Sequence, residues 1–393
     1  MRILVAGDWY SEVHEEGVYQ AYKEIGHEVF RFTWHQYFQS DVAFSSFGSK
    51  IKSFWRKFQD KFIAGPIVRK INRDFFKAVN DCNPDVISLY RGTHITKATL
   101  RSIKKSHPST CLVCHNEDDP FTEGHPYWLW RHFLASIPEY DLVLAHRVRN
   151  IQQYKGAGAR DVKFLRSWYA PERTYPITLS PEDKLQFGCD VVFVGHYEDD
   201  GRIEYLEEIV KNGFKLRLFG PGKYWDPVLR QSSLLRDLAP AQLVWGDNYN
   251  KALCGAKVAL CFLSKLNRDT YTRRCFEIPA TGTLLLSEHT EDLATLFRAG
   301  VEADFFASKE ELILKLGRYV NNEPLRVDVA QAGYQRVVDD GHDVVSRMLQ
   351  VIDWVGQLKA ARFPQKHSRF ALSPPRLRAA PRRRLSQRRR CLR

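Results

Sequence analysis

Arg273 and Arg274 stand side by side, and Glu277 follows within one helical turn inside the apolar stretch 275–280. The arginine fork matches phosphate oxygens and stays charged at any working pH, so an adjacent pair suits a diphosphate. A carboxylate a few residues on can accept two ribose hydroxyls, as acidic residues do in other nucleotide sites. Asn267, Asp269 and Gly282 flank the group, which runs on into Glu288. An Arg274–Glu277 pair within one turn of a helix is the structural alternative. It is worth only a few tenths of a kcal/mol, and it leaves Asn267, Asp269 and Gly282 without a role.

A second polar group follows the apolar run 111–114: His115, Asn116, Glu117, Asp118 and Asp119, then Pro120. If 111–114 is a strand of a parallel sheet, these residues lie at its carboxyl end, the edge where such sheets bind ligands. A solvated turn before a proline is the competing reading. The chain lacks G-x-G-x-x-G, G-x-x-x-x-G-K-[ST] and G-x-S-x-G, which removes the best signals for nicotinamide Rossmann, P-loop and α/β-hydrolase enzymes. Cys111 and Cys114 have C-x-x-C spacing, but they fall on the expected strand without a second pair, so no metal site is expected there.

These residues must be positioned by a chain of 393 residues, more than one ordinary core accommodates. Apolar residues make up 44% and charged residues 27%, enough for packed interiors. Of the formal charge of +13, residues 364–393 carry eleven cations and no acid, leaving only +2 for the rest. A basic tail makes the chain basic, so a nucleic-acid-binding core is not expected. Apolar runs fall short of the ~18 residues of a membrane span, and the start reads as neither leader nor span. Eight cysteines scattered through mostly apolar stretches are the pattern of reduced thiols, which points to the cytoplasm.

Short apolar runs alternate with amphipathic stretches throughout. Strands are expected at 2–6, 28–32, 85–89, 111–114, 141–145 and 162–165, then at 190–194, 215–219, 242–244, 258–262, 283–287 and 303–306. Most are continuously apolar, as in parallel sheets covered on both faces. The expected organisation is two Rossmann-like domains, 1–170 and 189–340, joined by a linker at 171–188 that carries Pro171, Pro176 and Pro181. A closing helix over 341–363 and a disordered Arg-rich tail over 364–393 complete it. Ser308 and Glu311 form a capping box that starts a helix. Residues 49–79 mix nine cations with six aromatic side chains. The simplest reading is a long crossover helix with a solvated basic face; the alternative is peripheral contact with an anionic membrane at its inner face, a role open to the tail as well.

The segment 274–291, followed by 296–302 and 305–312, resembles the CgeB-like (spore maturation protein) glycosyltransferase family; the likeness is strong over 257–320 and extends back to Asp190. That resemblance implies a GT-B architecture: two Rossmann-like domains face each other across a cleft, and the second holds a nucleotide-sugar donor. Arg274 would hold the diphosphate. Glu277 corresponds to the second acid of a Glu-x7-Glu element, with Asp269, one methylene shorter, in place of the first. Gly195, His196, Gly220 and Gly222 would lie against the donor, with Asn267, Gly282 and Glu288 around it. By position rather than by resemblance, at the carboxyl end of the expected strand 111–114, His115, Asp118 and Asp119 are expected on the acceptor side, one of them able to take the acceptor proton unless it passes to the leaving phosphate. The implied reaction is sugar transfer to a hydroxyl of a polysaccharide, glycan or lipid-linked acceptor, without a metal or other cofactor. A nucleotide-sugar epimerase of the same architecture, or a non-catalytic polysaccharide or spore-coat module, are the alternatives.

Eleven cations without an apolar pattern cannot build part of a core. Deleting residues 364–393 is therefore expected to move the melting temperature, followed by circular dichroism, by less than about 2 °C.

Overall fold

The computed structural model describes residues 1–10, 13–39 and 47–362; the expected disordered tail lies outside them. β1 (Arg2–Gly7), β2 (Glu28–Thr33), β3 (Val86–Tyr90), β4 (Cys111–Asn116), β5 (Leu142–Ala145) and β6 (Val162–Phe164) form one parallel sheet in the order β2-β1-β3-β4-β5-β6. β7 (Cys189–Val194), β8 (Leu216–Phe219), β9 (Ala256–Cys261), β10 (Leu284–Glu288) and β11 (Asp304–Phe306) form a second, β11-β10-β9-β7-β8, also parallel. The strand order reverses between β1 and β3 in the first sheet and between β7 and β9 in the second. Those switch points open crevices at the carboxyl ends of the strands.

Continuous apolar strands are explained by cores on both faces. In the first sheet Leu4, Ala6, Ile87 and Leu112 pack on Ile71, Phe75 and Val79 of helix Pro66–Cys82. On the opposite face Ile3, Val5, Val86 and Val113 meet Tyr22 and a stripe from the last helix, Val344–Arg362: Val344, Met348, Val351 and Val355. This helix thus closes the first domain although it follows the second. Each of its buried side chains contributes ~1.5–3 kcal/mol. In the second sheet Val192 and Ala259 pack on Phe276 and Ile278, while Val191 and Leu260 pack on Leu206, Leu312 and Leu316.

Three elements differ from expectation. Residues 242–244 form no strand; Gln242 makes a lone bridge to Phe219, and Leu243 is exposed. The segment is too short and too open to extend the sheet beyond β8. The single helix expected over 49–79 is two, Phe47–Phe62 and Pro66–Cys82. Ile63 and Gly65 take positive φ at the break, and Pro66 lacks the N–H that would continue the first helix. Within 171–188, Ser180 caps a helix, Pro181–Phe187, in a reciprocal capping box. Helix Lys309–Val320 starts where Ser308 accepts from the Glu311 N–H at 3.2 Å. Among the described residues, no helix is long and apolar enough to cross a membrane.

Burial lowers the ring pKa of His94 to about 3, of His115 to about 4 and of His342 to about 3. The unfolded chain protonates these rings near ~6.5. Below that pH the unfolded state binds more protons, so stability falls as pH drops from ~6.5 towards ~4, by at most ~1.4 kcal/mol per pH unit for each ring. Glu15 and Asp269, whose carboxyls burial raises to about 7 and about 6, act in the opposite sense, so the histidine contribution is read by difference. Between about pH 7.5 and about pH 5 the urea midpoint of wild type is expected to fall relative to that of a His94→Gln, His342→Gln variant, and parallel midpoints would refute the assignment.

Candidate active-site cleft

The carboxyl ends of the two sheets face a cleft of about 480 Å³. Residues after β1 (Val13, His14) and β4 (Glu117, Asp118) line one wall, and Gly195, His196, Gly220, Trp245, Tyr249, Arg274 and Glu277 line the other. Arg273 lies between them.

Arg273 and Arg274 begin or precede helix Arg274–Ala280, and consecutive residues there point to different sides. Arg273 reaches into the first domain. It donates to both Glu117 carboxylate oxygens, at 2.9 and 2.8 Å, and to His14 Nδ1 at 2.6 Å. Burial opposes charge on Glu117, but Arg273 prevails and holds its carboxyl well below the usual range. Burial, reinforced by Arg273, depresses His14 in the same way, so its ring is neutral. A guanidinium can only donate, so His14 accepts at Nδ1 and carries its proton on Nε2. The ring stacks on Tyr90 at 4.5 Å.

Arg274 stays on its own domain, against Gly195. A Cβ at Gly195 would lie 3.4 Å from the Arg274 guanidinium carbon and 2.8 Å from the Phe193 ring. Arg274 Nε is buried and without a partner among the described residues. One turn further on, Glu277 is buried and accepts from the Tyr249 hydroxyl at 2.7 Å. Burial pushes its carboxyl above the ordinary value despite Arg273 and Tyr249. Gly220 is required by packing: a Cβ there would meet the Gly195 carbonyl oxygen at 2.2 Å and Trp225 Nε1 at 2.5 Å. Trp245 stands at the rim with 62% of its surface exposed.

The residues named from sequence divide. Asp118, Gly195, His196, Gly220, Arg274 and Glu277 line the cleft. Asp118 pairs with Arg91 at 3.0 Å. His115 does not line it: the ring is buried against Tyr90 and Trp168. Asp119 is fully buried, paired with Arg268 at 2.8 Å and bonded to Asn150 at 3.0 Å. Asn267 accepts from the Asp119 N–H at 3.0 Å, and Asp269 accepts from Arg147 Nε at 2.8 Å. Asn267 and Asp269 therefore tie the domains together. Glu288 accepts from the Leu263 N–H at 2.6 Å and from Lys265 at 2.9 Å, fixing the start of the same loop. A Cβ at Gly222 would meet the Ala241 carbonyl, and Gly282 supplies a positive φ two residues beyond its helix; neither lines the cleft.

His14, Tyr249 and Trp245 were not singled out from sequence, and Glu117 was named there only within the polar run after 111–114, without a role. The usable signal was topological, since the loops after the strands flanking each switch point line the crevice. His115, Glu117 and His146 bring one nitrogen or oxygen each within 4.8 Å of one another, the trio among the described residues with metal-ligand geometry. Arg273 already supplies Glu117 with its cation.

Two parallel α/β domains facing across such a cleft constitute the GT-B fold. Residues 202–353 match the family model described as glycosyl transferase-like. Among curated proteins no sequence matches. Solved structures do. HepE of Anabaena in complex with UDP and glucose superposes with a TM-score of 0.61 at 14% identity, covering 91% of this chain and 100% of that one. The sucrose-phosphate synthase of Thermosynechococcus elongatus gives 0.64 at 12%, with 92% and 100% covered. An E. coli trehalose-6-phosphate protein bound with UDP-2-fluoro glucose gives 0.60 at 12%, with 91% and 99% covered.

Arg147 and Asp269 have side chains 2% and 9% exposed. Arg147→Met leaves a buried carboxylate without its cation and is expected to cost ~3–5 kcal/mol. The urea midpoint reads the loss, and Arg147→Met with Asp269→Leu is expected to recover most of it. A single variant as stable as wild type would remove the pair from the domain contact.

Proposed function

We propose that this chain is a glycosyltransferase that moves a sugar from a nucleoside-diphosphate donor to a hydroxyl acceptor, without a metal. The observation that carries the reading is the juxtaposition of Arg274, Glu277 and Tyr249 on one wall of the cleft, inside the glycosyl transferase-like stretch. Arg274 has unspent donor capacity where a diphosphate would lie. Glu277, already oriented by Tyr249, has acceptor capacity for ribose hydroxyls. The exposed Trp245 ring offers a stacking face for the base. UDP in HepE and UDP-2-fluoro glucose in the E. coli protein favour a uridine donor. The likeness of 274–291 to CgeB-like proteins supports the finer family assignment.

The acceptor oxygen attacks the anomeric carbon, the bond from that carbon to the diphosphate oxygen breaks, and its electron pair leaves with the nucleoside diphosphate. Charge growing on the diphosphate is stabilised by Arg274, a fixed cation that needs no reorganisation. Arg273 serves differently. Neutralised by Glu117, it holds the walls together and keeps His14 positioned with Nε2–H available to donate. Of the three residues expected on the acceptor side, Asp118 alone lines the cleft, which makes it the group for the acceptor proton; its ion pair with Arg91 orients it. The acceptor in this reading is a hydroxyl of a polysaccharide, a glycan or a lipid-linked alcohol.

Arg274→Ala is expected to weaken UDP binding about tenfold or more by isothermal titration, the equivalent of at least ~1.4 kcal/mol. Glu277→Gln, still folded by circular dichroism, is expected to lose ~1.5–3 kcal/mol for a hydrogen bond to a charged group, seen as a roughly 10- to 150-fold fall in donor affinity or turnover. Wild-type affinity and turnover in both variants would sink the reading. Donor hydrolysis or sugar isomerisation with no transfer to any alcohol would point to the epimerase alternative.

A further inference from the structure

Helix Phe47–Phe62 is inverted with respect to an ordinary surface helix. Ile51, Phe54, Trp55 and Phe58 recur at helical spacing on one side, and they are 45%, 64%, 55% and 42% exposed. Two of its polar side chains turn to the protein instead. Arg56 donates to the Gln39 carbonyl at 2.6 Å, and Gln59 accepts from the Ile67 N–H at 2.9 Å. The carboxyl end is fastened: Arg131 donates to the carbonyls of Phe62 and Ile63 at 2.9 and 2.7 Å, and Ile63 is 2% exposed. Phe62 meets Trp128 at 5.2 Å, and the adjoining Tyr127 is 75% exposed, so the aromatic surface continues onto a second element.

Contiguous exposed aromatic surface on a fixed helix marks a docking site. Lys57 and Lys61 fall along one edge of the stripe at helical spacing, and helix Pro66–Cys82 exposes Arg69, Lys70, Arg73 and Lys77. The exposed acids over the same stretch are Asp60 and Asp81. An aromatic stripe edged by lysines fits a surface that is apolar beneath and anionic at its headgroups. A second copy of this face would bring like charges together, and residues 364–393, with eleven cations and no acid, carry the same sign.

We propose that helix Phe47–Phe62 docks this protein on an anionic lipid bilayer, with Phe54, Trp55 and Phe58 entering the headgroup and acyl boundary and the neighbouring lysines and arginines contacting the headgroups. The proposal stands whether or not the cleft transfers sugars.

Cosedimentation of the full-length protein with vesicles of phosphatidylcholine, alone or mixed with phosphatidylglycerol, tests it. Wild type is expected to bind the mixed vesicles. Phe54→Ser, Trp55→Ser and Phe58→Ser combined are expected to weaken binding about tenfold while leaving the circular dichroism melt unchanged. Acyl-brominated lipid separates insertion from simple attraction of the tail: it is expected to quench wild-type tryptophan fluorescence more than that of a bound Trp55→Phe variant. Equal quenching in the two would overturn the proposal, as would undiminished binding by the triple variant. So would a wild-type dimer that the triple variant dissociates, since the stripe would then be a protein contact.

Discussion

The loop over 264–273 carries the interaction on which the cleft depends. Three of its residues are ion-paired across the domain boundary: Arg268 with Asp119, Asp269 with Arg147 and Arg273 with Glu117. Tyr271 adds a hydrogen bond to the His146 carbonyl at 2.8 Å. Each of the three pairs has at least one member largely shielded from water, where breaking a pair leaves an uncompensated charge. The domains thus meet in one register. Because the chain is committed to the first domain through Arg273, the next residue, Arg274, must turn back against Gly195, and one helical turn later Glu277 meets Tyr249. The positions of the groups facing the cleft follow from how the loop is pinned.

The layered architecture was legible because continuously apolar runs of four to six residues have few alternatives to a two-sided parallel sheet. Cys111–Asn116 is buried along its whole length, as its sequence implies. What the periodicity could not convey was the boundary chemistry. The 49–79 stretch reads as one amphipathic helix until the geometry of Ala64-Gly65-Pro66 is weighed against it. Residues 242–244 have strand-like composition but lack the neighbours that would pair them.

The site was legible to a different degree. Arg274 and Glu277 face the cleft because their spacing is local, within one helical turn. Asn267, Asp269 and Asp119 look equally functional in sequence, and their roles are decided by partners 122 to 149 residues away. No local pattern records such pairings. The glycines illustrate the same point: Gly195 and Gly220 read as room for a ligand, whereas the protein itself occupies the space a side chain would need at Gly220. Arg273 and Arg274 are chemically identical and adjacent, and only the fold distinguishes the one that reaches Glu117 and His14 of the first domain from the one that stays against Gly195.

The last helix has a consequence for how the protein is made. Val344, Met348, Val351 and Val355 cover Ile3, Val5 and Val113, the sheet face that emerges earliest from the ribosome. At ~5–20 residues per second, about 10 to 35 s of synthesis separate the end of the first sheet from the arrival of its cover. Throughout that interval this β-surface has only part of its native cover, Ala21 and Tyr22 of the first helix. A premature stop after the second sheet would therefore leave the side chains that Val344, Met348, Val351 and Val355 cover facing solvent, although every strand of both sheets had been made.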